Sequence, residues 1–130
     1  HDTRFDRARL RRELASAEWI DPLAAARSAA WLDEADAALA WTCRMLAAER
    51  IAAEAETIRI DLSDLPDELR RRLLIEALRQ MDGEATVTRG DTLSAALALA
   101  PGSAMSIGRS IVRCTAPGHW SLSPEPPRRT

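Results

Sequence analysis

The sequence predicts a mainly α protein with a small β part, an α+β fold in which a helical bundle is followed by a C-terminal antiparallel β-hairpin. Three observations lead to this prediction. Aromatic residues make up only 4% of the chain and alanine is abundant, a balance that suits close helix packing better than a sheet sandwich. Apolar residues recur at helical spacing over most of the first hundred positions. After Pro101-Gly102, β-branched residues and turn formers become frequent.

The opening segment predicts a short basic helix. It contains neither glycine nor proline, and Phe5, Leu10 and Leu14 fall near one side at helical spacing. We therefore expect residues 1–20 to form a basic linker helix. Over residues 1–12, five arginines against Asp2 and Asp6 leave a local charge of +3, so this stretch is a candidate for contacts with RNA phosphates, with a solvated helix face as the alternative. These candidate phosphate-contacting residues are Arg4, Arg7, Arg9, Arg11 and Arg12.

A long helix should begin at Asp21-Pro22, where an acidic cap precedes a proline that suits the first turn. We expect it to end around Ala53 to Glu56. From Thr57 to Leu62 polar and apolar residues alternate strictly, which predicts a half-buried strand. Apolar residues at steps of three and four predict a buried stripe along the helix, formed by Leu32, Ala35, Leu39, Thr42 and Leu46.

Another helix should follow Ser63-Asp64-Leu65-Pro66, which combines capping side chains with a proline, and should stop at Gly83. Its predicted core face carries Leu69, Leu73, Ala77 and Met81. Its other face carries arginines that we interpret as solvated, with Glu68 and Arg72 spaced to pair across one turn. A shorter helix should run from Gly90-Asp91 to about Ala100, so residues 21–103 form the predicted helical domain.

The last part of the chain predicts a small β structure packed on the helical domain. Its candidate strands are Met105–Ile107, Ser110–Cys114 and His119–Leu122. Gly108 and Ala116-Pro117-Gly118 supply the turns between them. We therefore expect an antiparallel hairpin or meander over residues 104–123 and an extended tail over residues 124–130, where prolines prevent further pairing.

The composition excludes several classes of catalytic chemistry. The chain has no lysine and no tyrosine, which rules out lysine nucleophiles and the phosphate-binding lysine of a P-loop. Of its two histidines, we interpret His119 as an ordinary edge-strand residue in preference to a general base. No glycine-rich nucleotide signature occurs. We therefore assign no catalytic residue to this chain.

Neither the cysteines nor the acidic residues predict a metal site. Cys43 and Cys114 lie far apart without a second ligand nearby, so we expect buried free thiols in place of a zinc site or disulfide. Asp33, Glu34 and Asp36 are close in sequence, but neighbouring helical positions point in different directions. We expect them to form a solvated face and not a Mg²⁺ site.

The tryptophans and the net charge limit how the chain could contact RNA. We expect Trp19, Trp31 and Trp41 to serve a core or an interface more readily than to stack on bases. Because the formal net charge is −2, any RNA contact must be local. No apolar run approaches the roughly 20 residues that span a bilayer, and residues 1–12 do not resemble a signal sequence. We expect a cytoplasmic location and no membrane partner.

Residues at both ends resemble one family. The run from Arg4 to Arg11 resembles the arginine-rich helix that follows the catalytic domain of tRNA(Ile)-lysidine synthetases, also called the MesJ cell-cycle protein family. Arg89 to Leu93, Ile107-Gly108-Arg109 to Arg113, and Trp120 to Arg129 look like the tail of the shorter bacterial forms. The middle of the chain is similar only in helical character.

This resemblance implies a role in tRNA modification. The family adenylates the wobble cytidine of isoleucine tRNA with ATP and replaces the adenylate with lysine. The chain would then be a C-terminal, non-catalytic portion that positions isoleucine tRNA and is inactive alone, with the tRNA-binding role on the five opening arginines. ATP and Mg would bind in a missing N-terminal catalytic domain, which would be a partner of this portion. The alternative is a helical scaffold or protein-interaction module whose alanine-rich stripe and tryptophans pack against another chain.

Overall fold

A computed structural model describes Arg9, residues 21–83 and residues 90–126. The chain divides into two compact units, residues 1–38 and residues 39–130. The predicted linker helix lies outside the described residues except for Arg9, which is helical and exposed, and the end of the predicted tail, 127–130, also lies outside them. The predicted segments 1–20, 21–103, 104–123 and 124–130 stay predictions.

Three helices have bounds in the structure: α1 (Pro22–Arg50), α2 (Asp67–Asp82) and α3 (Gly90–Leu97). The carboxylate of Asp21 accepts a hydrogen bond from the amide of Leu23 at 3.0 Å, as expected for a helix that begins after an aspartate. Gly83 ends α2 in a left-handed conformation with φ of 77°. Among the described residues, no helix is long and apolar enough to cross a membrane.

Within the described residues, five strands form one antiparallel sheet. They are β1 (Ile51–Glu54), β2 (Thr57–Asp61), β3 (Ala104–Ile107), β4 (Ser110–Ala116) and β5 (His119–Pro124), in the order β1-β2-β5-β4-β3. The predicted α+β class is therefore confirmed, as are β2 and the three C-terminal strands. The sheet is larger than the predicted hairpin because β2 pairs with β5 over a long sequence separation, with Ile58 opposite Leu122.

The end of α1 differs from the prediction. The helix ends at Arg50 and not near Ala53 to Glu56, because β1 begins at the next residue. Ala52 and Ala53 favour a helix intrinsically, but they pair with Arg59 and Ile58 of β2. Tertiary pairing therefore overrides the local preference. Ala55, with φ of 55°, lies in the turn between the two strands.

The core lies between one face of the sheet and the helices α2 and α3. The strands contribute the apolar side chains of Ile58, Ile60, Val112, Cys114, Trp120 and Leu122. From the helices, α2 buries Leu73, Leu74, Ala77 and Leu78, and α3 buries Leu93 and Ala96. Leu69 and Met81, at the ends of the predicted α2 face, are only half-buried. The partly buried Cys43, Leu46 and Ala47 of α1 pack against this core.

The predicted buried stripe of α1 is wrong for most of its length. None of the residues of α1 is buried, and Leu32 is 70% exposed. Ala35 is exposed, whereas Leu39, Thr42 and Leu46 are half-buried. The stripe has the spacing of a core helix, but the sheet, α2 and α3 supply the core and bury each other's apolar faces. A core role for the tryptophans is also wrong where they are described, since Trp31 is 65% and Trp41 is 57% exposed.

Candidate nucleic-acid interface

Most of the predicted tRNA-binding cluster lies outside the described residues. This applies to Arg4, Arg7, Arg11 and Arg12, whereas Arg9 is described as helical and exposed. The assignment of RNA contacts to these arginines stays a prediction.

The arginines of α2 are compensated by carboxylates on the same helix. Arg72 Nε lies 3.0 Å from Glu68 Oε1, the pair predicted from their spacing, and Arg71 also bonds to Glu68. Arg79 pairs with Glu76. The guanidinium of Arg70 lies 5.5 Å from the centre of the Trp120 ring, a cation–π contact at the edge of the core. Intrahelical pairing therefore offsets the positive charge of α2.

The sheet has a second face, which points away from the core, and we call it the open face. Paired residues of neighbouring strands point to the same side, so the register arranges them in rows across the sheet. One row joins Ala52, Arg59, Ser121, Arg113 and Ala104, which pair in succession from β1 to β3. All of these residues are exposed except Ser121, which is half-buried.

Two arginines of this row flank a hydroxyl group, and we call Arg59, Ser121 and Arg113 the central row. Because neighbouring strands are about 4.8 Å apart, the two arginine backbones are separated by roughly 10 Å. Arg59 Nε lies 3.6 Å from Glu54 Oε2, and both side chains remain well exposed, at 69% and 62%. Arg113 donates a hydrogen bond from Nη1 to the carbonyl oxygen of Gly102 at 3.2 Å.

An open groove of about 710 Å³ lies beside the central row. The last turn of α1 contributes Arg50, β2 contributes Arg59 and Asp61, and β5 contributes His119 and Ser121. Thr57 and Thr115 add hydroxyl groups to its lining. Glu49 and Asp61 add carboxylates, so the groove offers hydroxyl groups and charges of both signs to a ligand.

Asp61 organises one wall of the groove. Its Oδ1 accepts hydrogen bonds from the amide nitrogen of Ser63 at 3.0 Å and from the Ser63 hydroxyl. Arg50 Nη1 lies 3.5 Å from Asp61 Oδ2 and donates to the Ser63 carbonyl oxygen at 3.0 Å. The side-chain and backbone hydrogen bonds from Ser63, with weaker attraction from His119 and Arg50, lower the pKa of Asp61. The wall therefore carries a fixed carboxylate beside a largely compensated Arg50.

His119 lies at the start of β5, with its Nε2 3.8 Å from Asp61 Oδ1. The prediction of an edge strand is wrong, because β5 lies between β2 and β4. Local sequence could not show this, since β2 joins the sheet from a distant part of the chain. The imidazole remains exposed at the end of the strand and lines the groove.

The acidic residues of α1 and the two cysteines were considered above as possible metal ligands. Asp33, Glu34 and Asp36 are exposed on α1. Over the described ranges, no group of three or more potential ligands could hold a metal ion. Cys114 is buried and Cys43 is half-buried, and both are free thiols.

The central row was not identified from the sequence. The sequence does carry a signal for it, because Arg59 and Arg113 occupy polar positions in segments where polar and apolar residues alternate. Their proximity, however, depends on β5 lying between β2 and β4. A reading of each strand by itself cannot supply that order.

Comparison with known proteins finds relatives of one kind. No family model and no solved structure matches the chain. The tRNA(Ile)-lysidine synthase of Novosphingobium aromaticivorans is 34% identical over 131 aligned residues, which cover 100% of this chain and 39% of the relative. That of Zymomonas mobilis is 33% identical over 90 residues, 69% of this chain and 27% of the relative. The chain thus spans well under half the length of these curated relatives. It belongs to the tRNA(Ile)-lysidine synthase family, as a C-terminal portion.

Proposed function

We propose that this chain positions tRNA for an ATP-dependent ligase that attaches lysine to the wobble cytidine of isoleucine tRNA, and that it is inactive alone. The observation that carries this proposal is the 34% identity over the whole chain to a tRNA(Ile)-lysidine synthase. We also propose that ATP and Mg²⁺ bind in an N-terminal catalytic domain of the complete protein, for which a match to 39% of that relative leaves room. The proposed location is cytoplasmic.

The charge distribution supports a local mode of RNA binding. The chain has a formal net charge of −2, so it lacks the general basic excess of a self-sufficient RNA-binding protein. We assign the first phosphate contacts to Arg4, Arg7, Arg9, Arg11 and Arg12. Arginine suits this role because its planar fork can grip two phosphate oxygens without reading a base. Selection of the cytidine is then left to the catalytic domain.

The test is a titration of the chain with isoleucine tRNA over a range of salt concentrations. If three of the opening arginines contact phosphates, Arg7→Ala/Arg9→Ala/Arg11→Ala lowers the slope of log affinity against log salt by about 2–3. A matched control, Arg27→Ala/Arg44→Ala/Arg79→Ala, removes the same charge from helix surfaces and should leave most of the slope. No binding at low salt, or an unchanged slope in the first variant, would contradict the proposal.

A helical scaffold or protein-interaction module is the second candidate, and the exposed tryptophans of α1 favour it. Trp31 is 65% and Trp41 is 57% exposed. Exposed tryptophans favour an interface, because large aromatic side chains are enriched where proteins bind each other. An apolar interface depends little on salt, whereas phosphate contacts weaken as salt rises. Absence of tRNA binding, together with salt-insensitive self-association that Trp31→Ser removes, would favour this second function.

A further inference from the structure

The open face presents two cations that a ligand can recruit. The ion pair between Arg59 and Glu54 is solvent-exposed, and such pairs contribute only about 0–1 kcal/mol. A phosphate can therefore replace Glu54 at little cost. Arg113 donates one hydrogen bond to a carbonyl oxygen, which leaves other N–H groups of its guanidinium for a ligand and does not neutralise its charge.

The shape of this surface also favours a ligand. Ala52 and Ala104 end the row with small side chains, so nothing bulky from the row itself blocks access at either end. Beside the row, the groove of about 710 Å³ makes the surface concave.

We propose that the open face is a second RNA-backbone contact, in which Arg59 and Arg113 bind phosphates and Ser121 donates a hydrogen bond between them. This inference rests on the proposed function for its ligand class, and it adds a site distant in sequence from the opening arginines. The groove beside the row takes the continuing sugar–phosphate chain, with a hydroxyl donor from Thr57, whereas the Thr115 hydroxyl donates to the carbonyl oxygen of His119 at 3.4 Å.

The side chains on this face indicate contact with the RNA backbone in preference to its bases. Stacking on single-stranded bases mainly uses aromatic side chains, and the central row carries none. Trp120 of β5 points into the core, where it is 3% exposed, and the imidazole of His119 lies at the end of the groove. Hydroxyl and guanidinium groups are instead the usual partners of phosphate and ribose oxygens. A protein partner would need apolar anchors, and the described residues of the central row provide none.

The experiment compares Arg59→Ala/Arg113→Ala with Arg27→Ala/Arg44→Ala in the full chain. Both double variants remove two exposed arginines and the same net charge. The first should lower the salt slope of tRNA affinity by about 1.4–1.8, the value for two lost phosphate contacts, and the second should leave it unchanged. The loss should be the same for isoleucine tRNA and an unrelated tRNA, because backbone contacts carry no sequence information. Arg59→Lys/Arg113→Lys should retain most of the slope.

The outcomes separate this inference from the proposed function. If the chain binds tRNA through Arg7, Arg9 and Arg11 but Arg59→Ala/Arg113→Ala has the wild-type slope, the second contact is overturned and the proposed function stands. If the chain does not bind tRNA at low salt, both fail. Tight binding of polyglutamate that depends on Arg59 and Arg113 as strongly as tRNA binding does would assign the face to an acidic peptide and overturn the RNA contact. Equal thermal midpoints of the variants exclude unfolding as the cause of a loss.

Discussion

The indole nitrogen of Trp120 donates a hydrogen bond to the carbonyl oxygen of Ala96 at 3.0 Å, which ties β5 to α3 across the core. The two residues are 24 positions apart in the sequence, and both are buried. The guanidinium of Arg70 lies over the ring of Trp120, so this tryptophan also contacts α2. Trp120 thus joins the sheet to both helices that cover it.

Replacing Trp120 by phenylalanine should destabilise the protein by about 1–3 kcal/mol. The change keeps an aromatic ring but removes buried volume and the indole donor, which leaves the carbonyl oxygen of Ala96 with only the 3.2 Å hydrogen bond from the amide of Leu99. Urea denaturation followed by circular dichroism measures the free energy of unfolding. Trp31→Phe is the control, since Trp31 is exposed and its replacement should change stability by less than about 0.5 kcal/mol. Equal effects of the two changes would contradict the role assigned to the Trp120 bond.

Alanine at Gly118 should be more destabilising than alanine at Gly102. Both glycines have positive φ, 79° and 90°, so each substitution carries the cost of a left-handed alanine. At Gly118 the new Cβ would also lie 3.0 Å from the Cβ of Ser63, while at Gly102 it would meet nothing within 4 Å. We expect an additional cost of about 1–3 kcal/mol for Gly118→Ala, measured as the difference in free energy of unfolding. Indistinguishable values would show that the contact with Ser63 relaxes freely.

Asp61 should stabilise the fold at neutral pH and lose this effect in acid. Its folded-state pKa is lowered from 3.8, so its stabilisation is present above pH 3.8 and is lost as pH falls through the folded-state value. The effect should be modest because the side chain is 41% exposed. Asp61→Asn should therefore be less stable than wild type at pH 7, and the two should converge below pH 3.8. The control Asp33→Asn, on the exposed surface of α1, should change the free energy of unfolding by less than about 0.5 kcal/mol at pH 7.

The two cysteines should react with a thiol reagent at different rates. Cys114 is 2% exposed within the sheet, and its labelling requires the core to open. Cys43 is half-buried, and desolvation followed by repulsion from Glu76 raises its pKa, which reduces the reactive thiolate. We expect Cys43 to react slowly and to accelerate as pH rises, and Cys114 to react only with unfolding. Single variants Cys43→Ser and Cys114→Ser assign the two phases, and rapid labelling of Cys114 in the folded protein would contradict its burial.

Local pattern was enough to predict several elements. Apolar residues at four-residue spacing before Gly83 predicted α2. Alternation of polar and apolar residues predicted β2, and β-branched residues between turn formers predicted the strands after Pro101-Gly102. Each of these elements has a characteristic spacing of apolar residues, set by the helical turn or by the pleat of a strand. Residues close together in sequence are enough to show that spacing. The resemblance to the tRNA(Ile)-lysidine synthase family was likewise visible in short stretches of sequence.

Tertiary structure decided how these elements are used. Leu32 and Ala35 have the spacing of a buried helix face, yet they are exposed, because burial depends on whether another surface covers the stripe. Ile51 to Glu54 are a strand because β2 offers them a partner, and β2 lies beside β5 because Ile58 and Ile60 pair with Leu122 and Trp120. The same pairing aligns Arg59, Ser121 and Arg113 from three separate strands. The sequence alone determined the periodic elements, the charge pattern and the family; the strand order, the core and the open face arise only from contacts between residues far apart in the chain.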